Sequence, residues 1–385
     1  MTSPNIIRRT YRFPLKPTRR QSRLLEFTLA LSCELYNAAL QERREAWTSA
    51  RKSISYYDQC HELTEVRPVR ADVAALPIDL AREPLRRVDR AFKGFFRRCK
   101  TGERVGHPRF RSRDRYDSVA ISAPGFRIDG NRVAISKLGS FRFRAHREIK
   151  GTAKHCIVKR LGSKWQVSII CELGPVPEKL PIRNAVGIDV GLNTFATLSN
   201  GTEIPNPRWT HQSEIKLATY NRALARKQRG SRNWQKAKEI LRHAHQHVAS
   251  QRLNFCHHAS KQLVGKYDLV AFEALRVKSM LRGHFSKSIM DVAWSQFLWQ
   301  IAYKAESAGR YAIAVDPRDT TQRCSVCGEI VKKSLAERIH LCPSCGLILG
   351  RDENAARNVL ALGRSAVGLL PSRGVSSRLT PLPLS

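Results

Sequence analysis

Residues 185–193 read Ala-Val-Gly-Ile-Asp-Val-Gly-Leu-Asn, an apolar run interrupted by a single acid, Asp189. A short apolar run of this kind, followed by Gly191, predicts a buried strand. An unpaired carboxylate is costly in a buried strand, and coordination to a metal ion is a usual compensation. The run Asp-Leu-Val-Ala-Phe-Glu over 268–273 repeats the pattern and ends in Glu273. We therefore expect two buried strands that each deliver one acid to a site.

Asp352 is a third candidate acid, in the segment Gly-Arg-Asp-Glu-Asn-Ala-Ala-Arg-Asn that starts at Gly350. The segment predicts the beginning of a helix, where an acid is favoured for capping alone. Asp352 taken singly is at least as well explained as a capping residue. Asp189 and Glu273 taken singly are compatible with salt bridges to some of the 68 Lys and Arg residues.

The three acids fit better as one site. Strands alternate with helices from about residue 185 to 361, which indicates an α/β domain. Acids at the ends of two strands and at the head of a later helix can converge on a pair of Mg²⁺ ions, or Mn²⁺ in their place, about 3.5–4 Å apart. Two such ions support phosphodiester hydrolysis. The order strand–acid, strand–acid, helix–acid predicts an RNase H-like fold.

Four cysteines form the strongest single motif of the chain. Cys324-x2-Cys327 and Cys342-x2-Cys345 are separated by 14 residues, and a glycine follows the second cysteine of each pair. Four thiolates in two such knuckles close a tetrahedral zinc site. The alternative is four unrelated buried thiols, which the doubled spacing disfavours. A closed Cys₄ site is structural, so we expect one Zn²⁺ here and the chemistry elsewhere.

The charge balance indicates a polyanionic partner. The 385 residues include 68 Lys+Arg against 32 Asp+Glu, which gives a formal charge of +36. A hydrophobic fraction of 42% is typical of a globular protein and argues against a disordered basic tail. No apolar run approaches the roughly 18 residues of a membrane span, and no apolar signal segment follows Met1. We expect no membrane partner and a cytoplasmic location.

The N-terminal half reads as a β-module with a helical insertion. We assign 1–20 and 100–180 to the β-module and 21–99 to the insertion, because the hydrophobic period changes from helical to alternating near residue 105. Basic residues at the start of the chain, on one face of the second helix and in an alternating stretch near residue 110 are candidate nucleic-acid contacts. They are Arg8, Arg9, Arg12, Lys16, Arg19, Arg20, Arg86, Arg87, Arg90, Lys93, Arg97, Arg98, Arg109, Arg111 and Arg113.

Several ordered motifs, together covering nearly the whole chain to about Leu362, resemble the TnpB (OrfB-type) family of bacterial insertion sequences, relatives of the compact type V CRISPR effectors. The motifs include Asp-Arg-Ala-Phe-Lys-Gly-Phe-Phe-Arg-Arg from Asp89, Gly-Ile-Asp-Val-Gly-Leu from Gly187, and Asp-Pro-Arg-Asp-Thr-Thr-Gln-Arg-Cys-Ser-Val-Cys-Gly from Asp316. Asp189, Glu273 and Asp352 match the three metal-binding acids of the family, and the four cysteines match its inserted zinc finger.

The resemblance implies an RNA-guided DNA endonuclease with a RuvC-type nuclease domain over 181–316 and 348–361 and a zinc finger over 317–347. The β-module resembles the family's wedge, which we expect to be a β-barrel, and the helical insertion resembles its recognition domain. Implied partners are a guide RNA transcribed from the element end and a double-stranded target beside a short motif, held by a monomeric ribonucleoprotein at the prokaryotic nucleoid. We expect no structure over 362–385.

The chain departs from the family pattern at three places, none of which removes a ligand. Gly350 stands where Asp is frequent, Ala274 follows Glu273 where Asp is frequent, and Thr321 stands where Ser is frequent. Two other functions stay open at this point. One is a guided DNA-binding repressor that does not cut. The other is a DNA-binding accessory protein of transposition.

Overall fold

The computed structural model describes residues 6–102, 105–275, 293–334 and 337–368. The chain divides into two compact units, Met1–Pro175 and Val176–Ser385. In the described ranges, no helix is both long enough and apolar enough to cross a membrane.

The strands of the first unit form two antiparallel sheets. The seven described strands are β1 (Ile6–Leu15), β2 (Ser118–Ser122), β3 (Phe126–Asp129), β4 (Arg132–Ile135), β5 (Gly139–Arg142), β6 (Thr152–Leu161) and β7 (Lys164–Pro175). One sheet has the order β1-β7-β6-β2 and the other the order β3-β4-β5. An isolated bridge between Leu15 and Phe143 joins the two sheets. Closure of these sheets into a barrel stays a prediction.

The alternating sequence of β1 explains its position. Tyr11, Phe13 and Leu15 are buried while the residues between them are exposed, as a period of two requires for a sheet with one solvated face. Phe13 stacks on Phe143 with ring centroids 5.1 Å apart. The same core continues into the helices of this unit.

Four helices lie between β1 and β2 in the chain. They are α1 (Arg19–Ala50), α2 (Tyr56–Val69), α3 (Ala71–Ala75) and α4 (Ile78–Lys100). A capping box starts α1, because Thr18 accepts from the Gln21 backbone and the Gln21 side chain accepts from the Thr18 backbone. A second capping box, between Ser55 and Asp58, starts α2.

The second unit is built on a five-stranded sheet. Its strands are β8 (Ala185–Val190), β9 (Thr194–Leu198), β10 (Glu203–Pro205), β11 (Leu269–Glu273) and β12 (Tyr311–Val315). Their order in the sheet is β10-β9-β8-β11-β12. The strands β8, β11 and β12 run parallel, and β9 and β10 extend the sheet antiparallel. The predicted α/β class is confirmed.

Helices cover both faces of this sheet. They are α5 (Trp209–Ala225), α6 (Arg232–Lys266), α7 (Trp294–Ser307) and α8 (Arg351–Ala366). Val270 and Phe272 of β11 belong to the core formed with α6 and α7, whereas Leu269 and Ala271 pack on the α8 side. All five residues of β11 are therefore buried, as is usual for a central parallel strand.

A small lobe with one antiparallel ribbon connects β12 to α8. Its strands are β13 (Ile339–Leu341) and β14 (Ile348–Gly350). Helix α8 then continues to Ala366, so the expectation of no structure from Leu362 onward is corrected for 362–366. Gly363 explains the difference, because it lies against Ala271 so closely that an added Cβ would be 2.4 Å from the Ala271 Cβ. Residues 369–385 of the expected tail lie outside the described residues.

Candidate metal centres and nucleic-acid surface

Two of the predicted acids lie at the carboxyl ends of adjacent parallel strands. The register pairs Phe272 of β11 with Ile188 of β8, so Glu273 and Asp189 follow at the same level. Asp189 is 9% exposed and Glu273 is 8% exposed. The local sequence explains this placement, since each acid ends an apolar strand that is itself fully packed.

Helix α8 brings the third acid to the same place. Asp352 lies in its first turn, and the α8 backbone passes directly over β8. An added Cβ at Gly187 would lie 2.0 Å from the Ala356 carbonyl oxygen and 2.6 Å from the Leu360 nitrogen. Only a residue without a side chain allows this approach. Gly187 thus fixes the distance between α8 and the strand that carries Asp189.

The electrostatics show that the three carboxylates interact. Burial raises the pKa of Asp189 well above its usual value, and the neighbouring Glu273 and Asp352 charges raise it further. The Arg351 guanidinium, 3.2 Å from Asp352 Oδ1, partly opposes this shift. Burial also raises the pKa of Glu273, against a hydrogen bond from Thr320. Such shifts are typical of carboxylates that lack a sufficient counter-charge.

The donor set fits a hard divalent cation. Three buried or half-buried carboxylates supply only oxygen ligands, and mutual repulsion is relieved when a positive ion lies among them. Mg²⁺ and Mn²⁺ prefer this ligand type. The charges of Glu273 and Asp352 act on Asp189, but in the described part of the chain the ligand atoms that all lie within 4.8 Å of one another are those of the four cysteines. Metal binding by the three acids therefore stays a prediction.

Thr320 contacts the acid site, and two asparagines of α8 hold the backbone of the segment that begins with Thr320. Thr320 Oγ1 donates to Glu273 Oε1 at 2.5 Å, and Asn358 Nδ2 donates to the Thr320 carbonyl at 2.8 Å. Asn354 is 0% exposed and Asn358 is 7% exposed. None of these residues belongs to a motif that predicts a role from the sequence. The spacing of four between the two asparagines, on one face of a helix, was the available signal.

The four cysteines form the second centre, in the lobe between β12 and α8. Their ligand atoms all lie within 4.8 Å of one another. The sulfurs of Cys324 and Cys345 are 3.6 Å apart, and those of Cys327 and Cys342 are 3.5 Å apart. A tetrahedral zinc site with Zn–S bonds of about 2.3 Å has edges of about 3.8 Å, so the cluster fits Zn²⁺.

The two knuckles have the same backbone structure. Gly328 N donates to the Cys324 carbonyl and Gly346 N to the Cys342 carbonyl, each at 3.0 Å. Both glycines have positive φ, +84° and +71°. Burial raises the pKa of the Cys324 thiol, but hydrogen bonds from the backbone N–H groups of Cys327 and Val326, and from His340 and Cys345, lower it to about 5. The Glu329 backbone N–H lowers the pKa of Cys327, but burial and the other three sulfurs outweigh it and raise that pKa to about 12. A thiolate is the form that zinc binds.

The arginines near residue 110 lie on an extended segment that α1 holds in place. Asn37 bonds both backbone groups of Arg111, donating to its carbonyl and accepting from its N–H, each at 2.9 Å. Tyr36 Oη donates to the Arg109 carbonyl at 3.4 Å. Arg109, Arg111 and Arg113 are exposed, and among the described residues no carboxylate lies within 4.0 Å of them.

Other predicted contacts are paired with acids instead. Arg86 bonds Asp79 at 2.8 Å, Arg87 and Arg90 both bond Glu83, Lys93 bonds Asp89 and Arg8 bonds Glu172. These pairs neutralise part of the α4 face. The remaining candidates are Arg9, Arg12, Lys16, Arg19, Arg20 and Arg97, which are exposed, and Arg98, which is half-buried. Their contact with nucleic acid stays a prediction.

Three family profiles match the chain. A profile described as "Probable transposase" (OrfB_IS605) matches residues 168–283, and a "Cas12f1-like, TNB domain" profile matches residues 294–359. A third, described as "Helix-turn-helix domain" (HTH_OrfB_IS605), matches residues 1–52. Over the described part of that last range, the structure has one strand, β1, and one continuous helix, α1.

Two curated proteins similar to the chain match it over almost its full length. A "Putative RNA-guided DNA endonuclease" of Streptomyces pristinaespiralis is 30% identical over 95% of this chain and 93% of its own. The "Putative RNA-guided DNA endonuclease InsQ" of Escherichia coli (strain K12) is 28% identical over 93% and 92%. The fold resembles the protein in "Cryo-EM structure of the Cas12f1-sgRNA-target DNA complex", with a TM-score of 0.59, 14% identity and coverage of 92% and 99%.

Proposed function

Because the chain belongs to the TnpB (OrfB-type) family, we propose that it is an RNA-guided DNA endonuclease of an insertion sequence. The observation that best supports this activity is the convergence of Asp189, Glu273 and Asp352 at one edge of the sheet, with the pKa of Asp189 raised by burial and by the other two acids. A binding protein has no need to keep three carboxylates together at this cost.

Asp189, Glu273 and Asp352 would hold two Mg²⁺ ions, for which Mn²⁺ is a suitable substitute. The ions, when bound, would make a water molecule nucleophilic and stabilise the leaving oxygen of a DNA phosphodiester. The residues themselves bind and orient: β8 and β11 fix two acids at one level, and Gly187 sets the distance of α8. The sheet order β10-β9-β8-β11-β12 supports an RNase H-like, RuvC-type nuclease domain.

The domain assignment proposed on this basis keeps the boundaries from the sequence. Residues 181–316 and 348–361 form the nuclease domain, and 317–347 form the zinc finger with one structural Zn²⁺, while in the structure β14 pairs with β13 of the finger and α8 continues to Ala366. In the first unit, 1–20 and 100–180 form the wedge and 21–99 the recognition domain. The antiparallel sheets of the first unit and the helices α1–α4 between β1 and β2 support this division.

The proposed partners are a guide RNA from the element end and double-stranded target DNA beside a short motif. The formal charge of +36 supports two nucleic-acid partners, because both present phosphate. In such a guided effector, base pairing supplies most of the sequence specificity. We propose that the particle is a monomeric ribonucleoprotein in the prokaryotic cytoplasm, associated with the nucleoid.

The first test is to sequence the RNA that copurifies with the chain from cells carrying its native locus, after a high-salt wash. We expect one dominant species whose constant part ends at the element boundary. That particle should then cut a matched DNA target in Mg²⁺, and the Asp189→Ala particle should bind the target without cutting it. Copurification of no defined RNA contradicts guiding. Binding without cutting by the unaltered particle identifies a repressor, and normal cutting by Asp189→Ala refutes the site.

A further inference from the structure

We infer that Thr320 is a positioning residue that links the zinc finger to the nuclease acid Glu273. The inference rests on the proposed nuclease site and adds a residue and a coupling to it. Thr320 belongs to the segment between β12 and Cys324, and it is 3% exposed. Its hydroxyl donates to Glu273, and its carbonyl accepts from Asn358.

The hydroxyl fixes one oxygen of Glu273. Thr320 Oγ1 is 2.5 Å from Glu273 Oε1 and 3.0 Å from the Pro317 carbonyl oxygen. A hydroxyl has one proton to donate, and the shorter contact is to the carboxylate. Hydrogen bonds to a charged acceptor are shorter and stronger than neutral ones, so this contact restrains the carboxyl plane of Glu273. A restrained carboxylate binds a cation without first losing rotational freedom.

The backbone around Thr320 is fixed by α8, the helix that carries Asp352. Asn358 Nδ2 donates to the Thr320 carbonyl at 2.8 Å and to the Arg323 carbonyl at 2.7 Å. Asn354 Nδ2 also donates to the Arg323 carbonyl at 2.7 Å, and Asn354 Oδ1 accepts from the Ser325 N–H at 2.9 Å. The two asparagines therefore hold the backbone on both sides of Cys324.

These contacts form one continuous connection from the cysteine cluster to the acid site. Cys324 belongs to the cysteine cluster, and both of its chain neighbours, Arg323 and Ser325, are hydrogen-bonded to α8. Thr320 lies three residues before Arg323 in the same segment. Zinc binding would fix the backbone at Cys324 and thereby the Thr320 hydroxyl against Glu273. Loss of zinc would loosen the segment and weaken cation binding at a centre that contains no cysteine.

The test measures Mn²⁺ affinity of the full-length, zinc-loaded protein by electron paramagnetic resonance, with zinc content measured by mass spectrometry. Thr320→Val keeps the shape and removes the hydroxyl, Thr320→Ser restores the hydroxyl, and Thr321→Val is the matched control at the adjacent half-buried threonine. We expect Thr320→Val to weaken Mn²⁺ binding about tenfold, as removal of an outer-shell partner commonly does. Thr320→Ser should recover most of that loss, and Thr321→Val should bind Mn²⁺ as the unaltered chain does.

Zinc content, and the effect of zinc removal on Mn²⁺ affinity, separate the proposed coupling from a general loss of structure. Zinc should stay at one per chain in all three variants, so a weakened Mn²⁺ site with zinc retained supports the inference. Removal of zinc from the unaltered chain should weaken Mn²⁺ binding by a similar factor, and removal from Thr320→Val should add little, because coupled changes are not additive. Unaltered Mn²⁺ affinity in Thr320→Val, or full additivity with zinc loss, overturns the inference.

Glu273→Gln separates this result from a failure of the proposed function. If the unaltered chain binds Mn²⁺ and Glu273→Gln weakens that binding, the acid site is real and the Thr320 variants test the coupling alone. If Glu273→Gln binds Mn²⁺ as tightly as the unaltered chain, the metal site itself is misassigned, and both proposals fall together.

Discussion

Gly187 lies directly beneath the Ala356 carbonyl of α8, and a Cβ built on it would be only 2.0 Å from that oxygen. The contact places the helix that carries Asp352 against the strand that carries Asp189. The obstructing atoms are backbone atoms, so no side-chain rotation relieves an added methyl group. The geometry of the acid site therefore depends on a residue that contributes no ligand.

Gly187→Ala should push α8 away from β8. We expect a loss of about 1–3 kcal/mol of unfolding free energy, the usual cost of overpacking, together with a large loss of cleavage. Urea unfolding and a single-turnover cleavage assay measure the two effects. Gly265→Ala is the control, because Gly265 is an exposed helical residue with nothing within 4 Å of an added Cβ. Equal stability of the two variants would contradict the proposed contact.

Asp189→Asn should abolish cleavage yet raise thermal stability in the absence of divalent ions. Burial and two neighbouring acids raise the pKa of Asp189, so removing its charge relieves repulsion. Added Mg²⁺ should raise the melting temperature of the unaltered chain and leave that of the variant nearly unchanged. Calorimetry with and without Mg²⁺ measures both.

Asp268→Asn is the matched control, at the residue that precedes β11. Hydrogen bonds from the backbone N–H groups of Asn184 and Arg183 lower the pKa of Asp268, so its charge is stabilised. The same substitution should therefore destabilise the protein at position 268. A drop in stability for both variants would mean that Asp189 is not under repulsion.

Arginines of the first unit that bond an acid should behave differently from those with no carboxylate within 4.0 Å among the residues that the structure describes. Replacing Arg109, Arg111 and Arg113 with glutamine should lower the slope of log affinity against log salt by about 2–3, roughly one phosphate for each arginine. Arg86→Gln should instead reduce stability with little change of slope, because Arg86 bonds Asp79 at 2.8 Å. Filter binding over a salt series and thermal unfolding separate the two results. An unchanged slope in the triple variant excludes the segment from the interface.

Lys304 should make stability rise with pH between about 8 and 10.5. Burial lowers its pKa to about 8, and its Nζ donates to Ser260 Oγ at 2.7 Å. Across this window the unfolded chain holds the proton and the folded chain does not, so stability increases as pH rises. We expect a gain of about 1–2 kcal/mol, after reduction for partial solvent exposure.

Urea unfolding at pH 7.5 and 9.5 measures this pH dependence. Lys304→Met should remove that part of the slope, and Lys332→Met, at an exposed lysine of the same unit, should keep it. A slope that persists in Lys304→Met must come from other groups.

The strand acids and the zinc knuckles were open to prediction because their signals are local. An acid in an apolar run and a doubled CxxC spacing can both be recognised within a short stretch of sequence, without information on contacts between distant residues. Membership of the family is confirmed by a near-full-length relative. The α/β class of the second unit also followed from periodicity.

The remaining features depend on contacts between distant parts of the chain. Gly187 of β8 packs directly against Ala356 of α8. Thr320 contacts Glu273, 47 positions away in the sequence, and Asn37 contacts Arg111, 74 positions away. Sequence periodicity contains no information on such pairs. The pairing of Arg86 with Asp79 is local by contrast, because both residues lie on α4 seven positions apart, and counting the acids of that face along with its cations would have predicted it.

Strand β14 ends at Gly350 and helix α8 begins at Arg351, so no linker separates the cysteine lobe from the helix that bears Asp352. Because β14 and α8 are directly consecutive, the orientation of β14 sets the direction in which α8 begins. Any shorter connector that replaces the lobe would have to reproduce the direction in which β14 enters α8. Length alone would not suffice, and an inserted flexible spacer at 350/351 should be as harmful as a deletion.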